Sequence, residues 1–127
     1  MRRGEVWLAS FDPSLGSEAM KTRPCVVVSA DASNRVVERL GRGVVTVVPL
    51  TTNTERVHGF QALIPADSAN GLPTDSKAHA EQVRALDHSR FARRLGALDA
   101  ERVAAVDEAL LVHLGSFDRF SPEPADR

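Results

Sequence analysis

A chain of 127 residues with 43% hydrophobic and 26% charged side chains can bury one soluble domain core without disulfide or metal. The net charge of −1 excludes a whole-surface attraction to nucleic acid or membrane, so a polyanion site must be local; residues 1–60 carry eight Arg/Lys against six Asp/Glu and residues 61–127 eight against eleven, which points to the first half. The single cysteine, Cys25, excludes an intrachain disulfide and a Cys-based zinc site and suits a reducing cytoplasm, and with no apolar run near the roughly 18 residues of a membrane span, neither a signal peptide nor a membrane anchor is expected.

The first element is Glu5-Val6-Trp7-Leu8-Ala9-Ser10-Phe11, a strand apolar on both faces and closed by the turn signal Asp12-Pro13-Ser14. Trp7, the only tryptophan, suits core packing or base stacking. Residues 12–23 form a loop without periodic pattern, and loops of this length in a compact domain are usually functional or disordered. It carries Gly16-Ser17-Glu18, Lys21 and Arg23, a set that fits a wall over a polyanion site or a solvated surface. Pro24 fixes its own φ and pushes Arg23 into an extended conformation. Strand two follows over 24–30, and Cys25 to Val28 has the apolar, β-branched composition of a strand with no solvent face. Arg23 thereby stands at the rigid rim of a core strand, where a guanidinium can meet a phosphate with two parallel hydrogen bonds.

Asp31 can cap a short helical turn, which Gly41-Arg42-Gly43 breaks. Val44 to Val48 is another buried strand, ending at Pro49-Leu50 and delivering Thr51-Thr52-Asn53-Thr54, small hydrogen-bonding side chains that cap turns and also suit phosphate oxygens. Phe60 to Ile64 reads as a strand ended by Pro65, and Asp67 to Thr74 as loop. Over Asp75 to Arg84 a strand period puts His79, Glu81 and Val83 on one face. A His and a Glu so placed can serve as acid and base, the Glu can orient the His, or both can be solvent-facing alternation. Ala85-Leu86-Asp87 opens a polar connection, Arg90 to Arg94 is basic, and a short strand fits Leu95 to Leu98. Asp99 is the N-cap of the clearest helix, with Val103, Val106, Leu110 and Leu114 on one stripe for core or subunit interface and Gly115 as its stop. Residues 1–120 are expected to be one domain and residues 121–127 a frayed tail.

Mostly strands before residue 98 and one closing helix argue a mainly β (α+β) fold, a small curved β-barrel or half-barrel. The motifs Arg3-Gly4-Glu5-Val6-Trp7, Asp12-Pro13, Gly16-Ser17-Glu18, Arg23-Pro24 before Val26-Val27-Val28-Ser29, Val48-Pro49-Leu50-Thr51 and Glu81-Gln82-Val83-Arg84, in this order, resemble the MazF/PemK/Kid toxins over nearly the whole chain. The resemblance implies an SH3-like barrel, a homodimer, and the toxin half of a toxin–antitoxin pair. It implies an endoribonuclease that cuts single-stranded RNA at short sequences, with no metal or other cofactor, and halts translation. Carried over, the catalytic set is Arg23, Thr51, Glu18 and Glu81. The RNA-binding set is Ser17, Lys21, Thr52, Asn53, His79, Gln82 and Arg84. Two departures stand out. Ala19-Met20-Lys21-Thr22 replaces a glycine-rich run of many relatives, and His79 occupies a position where relatives vary.

Metal-free RNA cleavage can use the substrate's 2′-hydroxyl as nucleophile, with a base, an acid and cations around the phosphorane. Arg23 fits the charge stabiliser and Thr51 a phosphate donor. Glu81 or Glu18 fits the base, with His79 as a competitor. The expected products are a 2′,3′-cyclic phosphate and a 5′-hydroxyl. Base readout is expected from hydrogen bonds of loops 12–22 and 52–58, since Tyr is absent and aromatics are 5%. The expected partner is a cognate antitoxin with an acidic, disordered segment that folds over the groove around Arg23. The same fold also carries toxins that bind and poison DNA gyrase, and a degenerate antitoxin-binding member is a third reading.

Overall fold

Alternate residues of the first strands feed two different cores, which is why these strands read as apolar without interruption. In the computed structural model, which describes residues 1–11 and 21–116, β1 (Glu5–Ser10) pairs antiparallel with β2 (Thr22–Val27), and β2 with β3 (Val44–Thr51). Val6, Val26, Val48 and Leu50 enter one cluster. Ala9, Cys25, Val27, Val45 and Val47 enter the other. The first cluster is closed by the C-terminal helix α2 (Ala100–His113), through Val106 and Ala109, and by Ala62 and Ile64 of β4 (Gln61–Ile64). The second is closed by Val37 of α1 (Asp31–Leu40) and by Leu86, with Trp7, Phe11 and Phe91 at its border. Burial pushes the Cys25 thiol up to about 12, so it is a small core hydrophobe and not a nucleophile.

Strand β3 is the spine. One edge pairs with β2, and the other is shared by β5 (Ser76–His79) at Leu50–Thr51 and β6 (Arg84–Asp87) at Val44–Val47. With β7 (Phe91–Ala97) on the far side of β1, the ladder runs β4-β5-β3-β2-β1-β7, with β6 alongside β3. This is the expected mainly β fold with a C-terminal helix, a curved sheet that does not close among the described residues.

Several expected boundaries move. The stretch after Asp31 is a helix of ten residues rather than a short turn. Ala30, not Asp31, is its N-cap; Asp31 lies in the first turn and accepts the Arg3 N–H at 2.7 Å. Gly41, left-handed at φ 69°, ends the helix as expected. Strand β2 begins at Thr22 and stops at Val27, so Arg23 lies within it, opposite Ala9. Strand β3 runs through Pro49 to Thr51 instead of ending there. Asp75 to Arg84 is not one strand: a 3₁₀ turn at Ala80–Gln82 separates β5 from β6, because the chain must step from one end of β3 to the other. The supposed polar connection at Ala85–Asp87 is β6, and β7 starts at Phe91, with its arginines on an edge strand where charge discourages pairing with other chains. Asp99 caps α2 as expected, accepting the Arg102 N–H at 2.8 Å. Of the stripe, Val106 is buried and Val103 and Leu110 pack at the border, while Leu114 is 65% exposed.

Two polar devices fix the frame. Glu5 accepts from the Arg2 N–H, the Trp7 indole and the Arg94 guanidinium at 2.9–3.0 Å. Burial raises its carboxyl, but the bonds from Trp7, Arg2 and Arg94 together outweigh that and hold it below the usual range. Trp7 is thus pinned at its polar end and packs edge-on to Phe91 at 6.0 Å, which favours the core reading over base stacking. Asn70, 1% exposed, ties the 65–75 segment to itself by bonds to Asp67, Pro65 and Leu72, and the adjacent Ala69 carbonyl accepts from Ala97 of β7.

Candidate active site

One proline opens the site. The β2–β3 ladder pairs Val27 with Val47, Val26 with Val48 and Cys25 with Pro49, and there it stops. On β2 the main chain of every second residue faces β3, Val28 and then Val26 and Pro24, and Pro24 carries no N–H to donate the next ladder bond. Beyond it the strands part. Arg23 of β2 and Thr51 of β3 come to line the same cleft of about 520 Å³, together with Phe11, Pro49, Leu50, His79, Gln82 and Arg84. Each strand stays anchored on its other side, Arg23 opposite Ala9 and Thr51 opposite Lys77. The two functional side chains therefore project from fixed backbone.

The described lining holds two guanidiniums, a hydroxyl, an amide and an imidazole, and no carboxylate. That is a cationic and neutral donor set, suited to a phosphodiester. Arg84, at the start of β6, lies over the Phe11 ring at 5.4 Å, which orients its guanidinium while leaving its charge unneutralised by that contact. The Thr51 hydroxyl oxygen is 3.5 Å from the Asn53 N–H, and its own proton has no protein acceptor among the described residues.

His79 ends β5, and the 3₁₀ turn after it folds Glu81 and Gln82 back onto its ring. His79 Nδ1 lies 3.2 Å from Glu81 Oε2 and 3.3 Å from Gln82 Nε2. Glu81 Oε2 also accepts from Gln61 Nε2 at 2.9 Å. Glu81 does not line the cleft; it stands behind His79. Two buried atoms here lack a hydrogen-bond partner, His79 Nε2 and Glu81 Oε1. The expected His/Glu pairing is therefore present, produced by a turn rather than by strand alternation.

Of the remaining expected residues, Asn53 lines a neighbouring cleft of about 330 Å³ with Glu55, Arg56 and Lys77. Thr52 and Lys21 are exposed and line neither cleft. Ser17 and Glu18 lie outside the described residues. Sequence reasoning missed Phe11 as a wall, Gln61 behind Glu81, and Lys77, a buried lysine whose Nζ donates to the Arg56 carbonyl at 2.5 Å. Nothing in a four-residue strand such as Ser76–His79 marks its lysine as buried. Among the described residues no cluster of three metal-ligating side chains occurs, and no helix is long and apolar enough to cross a membrane.

Comparison with known proteins gives a consistent result. The family model for the PemK-like, MazF-like toxin of type II toxin–antitoxin systems matches residues 2–114. The chain is 50% identical to endoribonuclease MazF9 of Mycobacterium tuberculosis over 114 residues, which is 90% of this chain and 96% of that protein. In three dimensions it is similar to a mycobacterial endoribonuclease solved in complex with its cognate antitoxin (TM-score 0.71, 22% identity, 98% of this chain and 99% of that one). It is also similar to a MazE–MazF structure from Deinococcus radiodurans (TM-score 0.67, 26% identity, 91% and 95%).

Proposed function

The chain belongs to the PemK-like, MazF-like toxin family of type II toxin–antitoxin systems and is an endoribonuclease, and from that premise we propose that it cuts single-stranded RNA at short sequences by transesterification in the Arg23–Thr51 cleft. The observation that carries the reading is the parted ladder, which brings Arg23 and Thr51, from adjacent strands, to one cleft beside His79 and Arg84.

The scissile phosphate lies between Arg23 and Thr51. His79 takes the proton of the flanking 2′-hydroxyl, and Glu81 behind it stabilises the imidazolium that forms. The 2′-oxygen attacks phosphorus, and the charge that builds on the phosphorane is met by the Arg23 fork and the Thr51 hydroxyl. The bond from phosphorus to the 5′-oxygen breaks, that oxygen takes up a proton from solvent, and the His79 imidazolium returns its own proton to solvent. No water enters, so the products are a 2′,3′-cyclic phosphate and a 5′-hydroxyl. Three observations support His79 over Glu81 as the base. His79 lines the cleft, Glu81 does not, and Glu81 Oε2 is already bonded by Gln61. The cationic and neutral lining supports a reaction that needs no divalent metal.

Base readout falls to Gln82, Asn53 and Thr52, from the segments bordering the two clefts. The protein acts as a homodimer and is neutralised by an antitoxin whose acidic segment covers Arg23 and Arg84. The MazE–MazF structure of the Deinococcus relative supports such a partner.

Primer extension on a long, weakly structured RNA, with EDTA present, tests the reading. Discrete cuts at a recurring short motif are expected, with 5′-hydroxyl ends. Cuts that leave 5′-phosphates would refute the transesterification. No cuts by folded protein would move the assignment to a non-cleaving toxin, of which the gyrase-binding kind is the alternative.

A further inference from the structure

Gln61 is a buried amide, 9% exposed, at the first position of β4, where the ladder sets it directly opposite His79. Its Oε1 accepts the His58 backbone N–H at 3.1 Å. A backbone N–H can only donate, so this bond fixes which way round the amide lies. The amide nitrogen then has to face Glu81, and it donates to Oε2 at 2.9 Å. An ionised carboxylate is an acceptor only. The His79 nitrogen 3.2 Å from the same Oε2 must therefore be an N–H, which makes Nδ1 the protonated nitrogen and leaves the lone pair on Nε2. Gln82 Nε2 finds no lone pair on that Nδ1, so its amide stays available to the cleft it lines.

We propose that Gln61 is a positioning residue for RNA cleavage: through Glu81 it holds His79 in the Nδ1–H tautomer, with Nε2 free to take the substrate proton. This rests on His79 being the base. The polarity of the whole relay is set by one backbone donor, His58 N–H. Its end is the buried Nε2 lone pair that no protein group satisfies. Nε2 is covered in the free protein, and RNA binding has to uncover it before the 2′-hydroxyl can supply the bond that the chain leaves unmade. The charged groups around His79 are Glu81 from the 3₁₀ turn and, lining the same cleft, Arg23 from β2 and Arg84 from β6.

The test uses the whole protein, labelled with ¹⁵N. Imidazole nitrogen shifts separate the two neutral tautomers, and loss of one spin system in His79→Gln assigns His79 among the four histidines. The wild type is expected to hold His79 as Nδ1–H. Gln61→Leu is expected to release it toward Nε2–H and to lower kcat about 10- to 100-fold, by analogy with outer-shell groups that orient a metal-bound histidine, with KM nearly unchanged. Gln61→Glu keeps the shape and the acceptor for His58 but cannot donate when ionised. It sets a second carboxyl against Glu81, and the acid limb of the pH–rate profile is expected to move to higher pH. This isosteric variant keeps the proposal testable if the leucine variant folds poorly. Wild-type His79 in the Nε2–H form, or Gln61 variants with unaltered tautomer, kcat and acid limb, would overturn the role of Gln61. Undiminished kcat in His79→Gln would instead remove the base, and the tautomer spectra keep the two failures apart.

Discussion

Arg23 and Thr51 face one cleft from two different strands, so removing each alone and both together reports whether they act on one phosphate. A guanidinium about 4 Å from a phosphoryl charge is worth roughly 1 kcal/mol in bulk water and about 4 kcal/mol at an effective dielectric of 20. Arg23 is exposed at the wall of an open cleft, so the contribution falls between these, at about 2–3 kcal/mol. Arg23→Ala should therefore lower kcat/KM about 30- to 150-fold. The Thr51 hydroxyl supplies one hydrogen bond to a charged acceptor, about 1.5 kcal/mol, so Thr51→Val should lose about tenfold. If both groups serve the same phosphorane, the double variant falls well short of the product of the two losses, because residues acting as a unit are not additive. Arg23→Lys keeps the charge and loses the fork, and should recover only part of the rate. The side chain of Arg23 supports no core, so thermal stability should change by less than about 0.5 kcal/mol. Single-turnover cleavage of a short fluorogenic oligonucleotide gives the rates, and thermal melting gives the control. An Arg23→Ala protein that melts normally and cleaves within threefold of wild type would refute the electrostatic role. Fully multiplicative losses would show that the two residues do not share a phosphate.

Gly96 lies where β7 passes under the 65–75 segment, and a Cβ there would overlap the Ala69 carbonyl oxygen, a backbone atom that cannot rotate away. Gly96→Ala should destabilise the fold by about 2–3 kcal/mol, lowering the melting temperature by about 10 °C, and a shift under 2 °C in a melt would show that this packing is looser than described. The buried Cys25 thiol, raised from an ordinary 9.0 to about 12, should resist a disulfide reagent at pH 8 until guanidinium unfolds the chain; prompt labelling of native protein would contradict its burial. Because the folded thiol ionises at higher pH than the unfolded one, its contribution to stability is complete below about 9 and is lost as pH rises from there toward about 12. A Cys25→Ser or Cys25→Ala protein should lack this part of the alkaline decline in stability.

What the chain reveals before folding depends on how local the cause is. Arg23 could be read as a rim cation because Pro24 and the valines after it fix its surroundings within a few residues, and Thr51 because it follows a valine run. Pro49 was misleading for a physical reason. A proline ends a strand only if an N–H is needed there, and the Pro49 nitrogen faces the step where β6 pairing has ended at Val47 and β5 pairing begins at Leu50. His79 and Glu81 were legible as a pair for the wrong reason, since positions two apart meet both on a strand face and across a 3₁₀ turn. Strand β6 and the first half of β7 were hidden by exposed arginines and aspartate, because only Leu86 of those residues is buried, while the end of β7 was legible at Leu95 to Ala97. Gln61 was illegible altogether. A glutamine carries the composition of a surface, and its burial comes from β4 lying against β5, a contact no local pattern records.

The gap between β2 and β3 has a consequence for how RNA arrives. A groove kept closed by hydrogen bonds must be prised open, and the ligand's affinity is reduced by the work of opening it. Here Pro24 lacks the donor that the next ladder bond to β3 would use, so a closed form is weakened at that point. The walls already stand apart in the free protein, and an incoming strand meets Arg23 and Thr51 in place. Encounter, rather than rearrangement of the sheet, then limits capture. The same readiness leaves the groove open to any polyanion of matching width, which makes an acidic chain a natural competitor for the site.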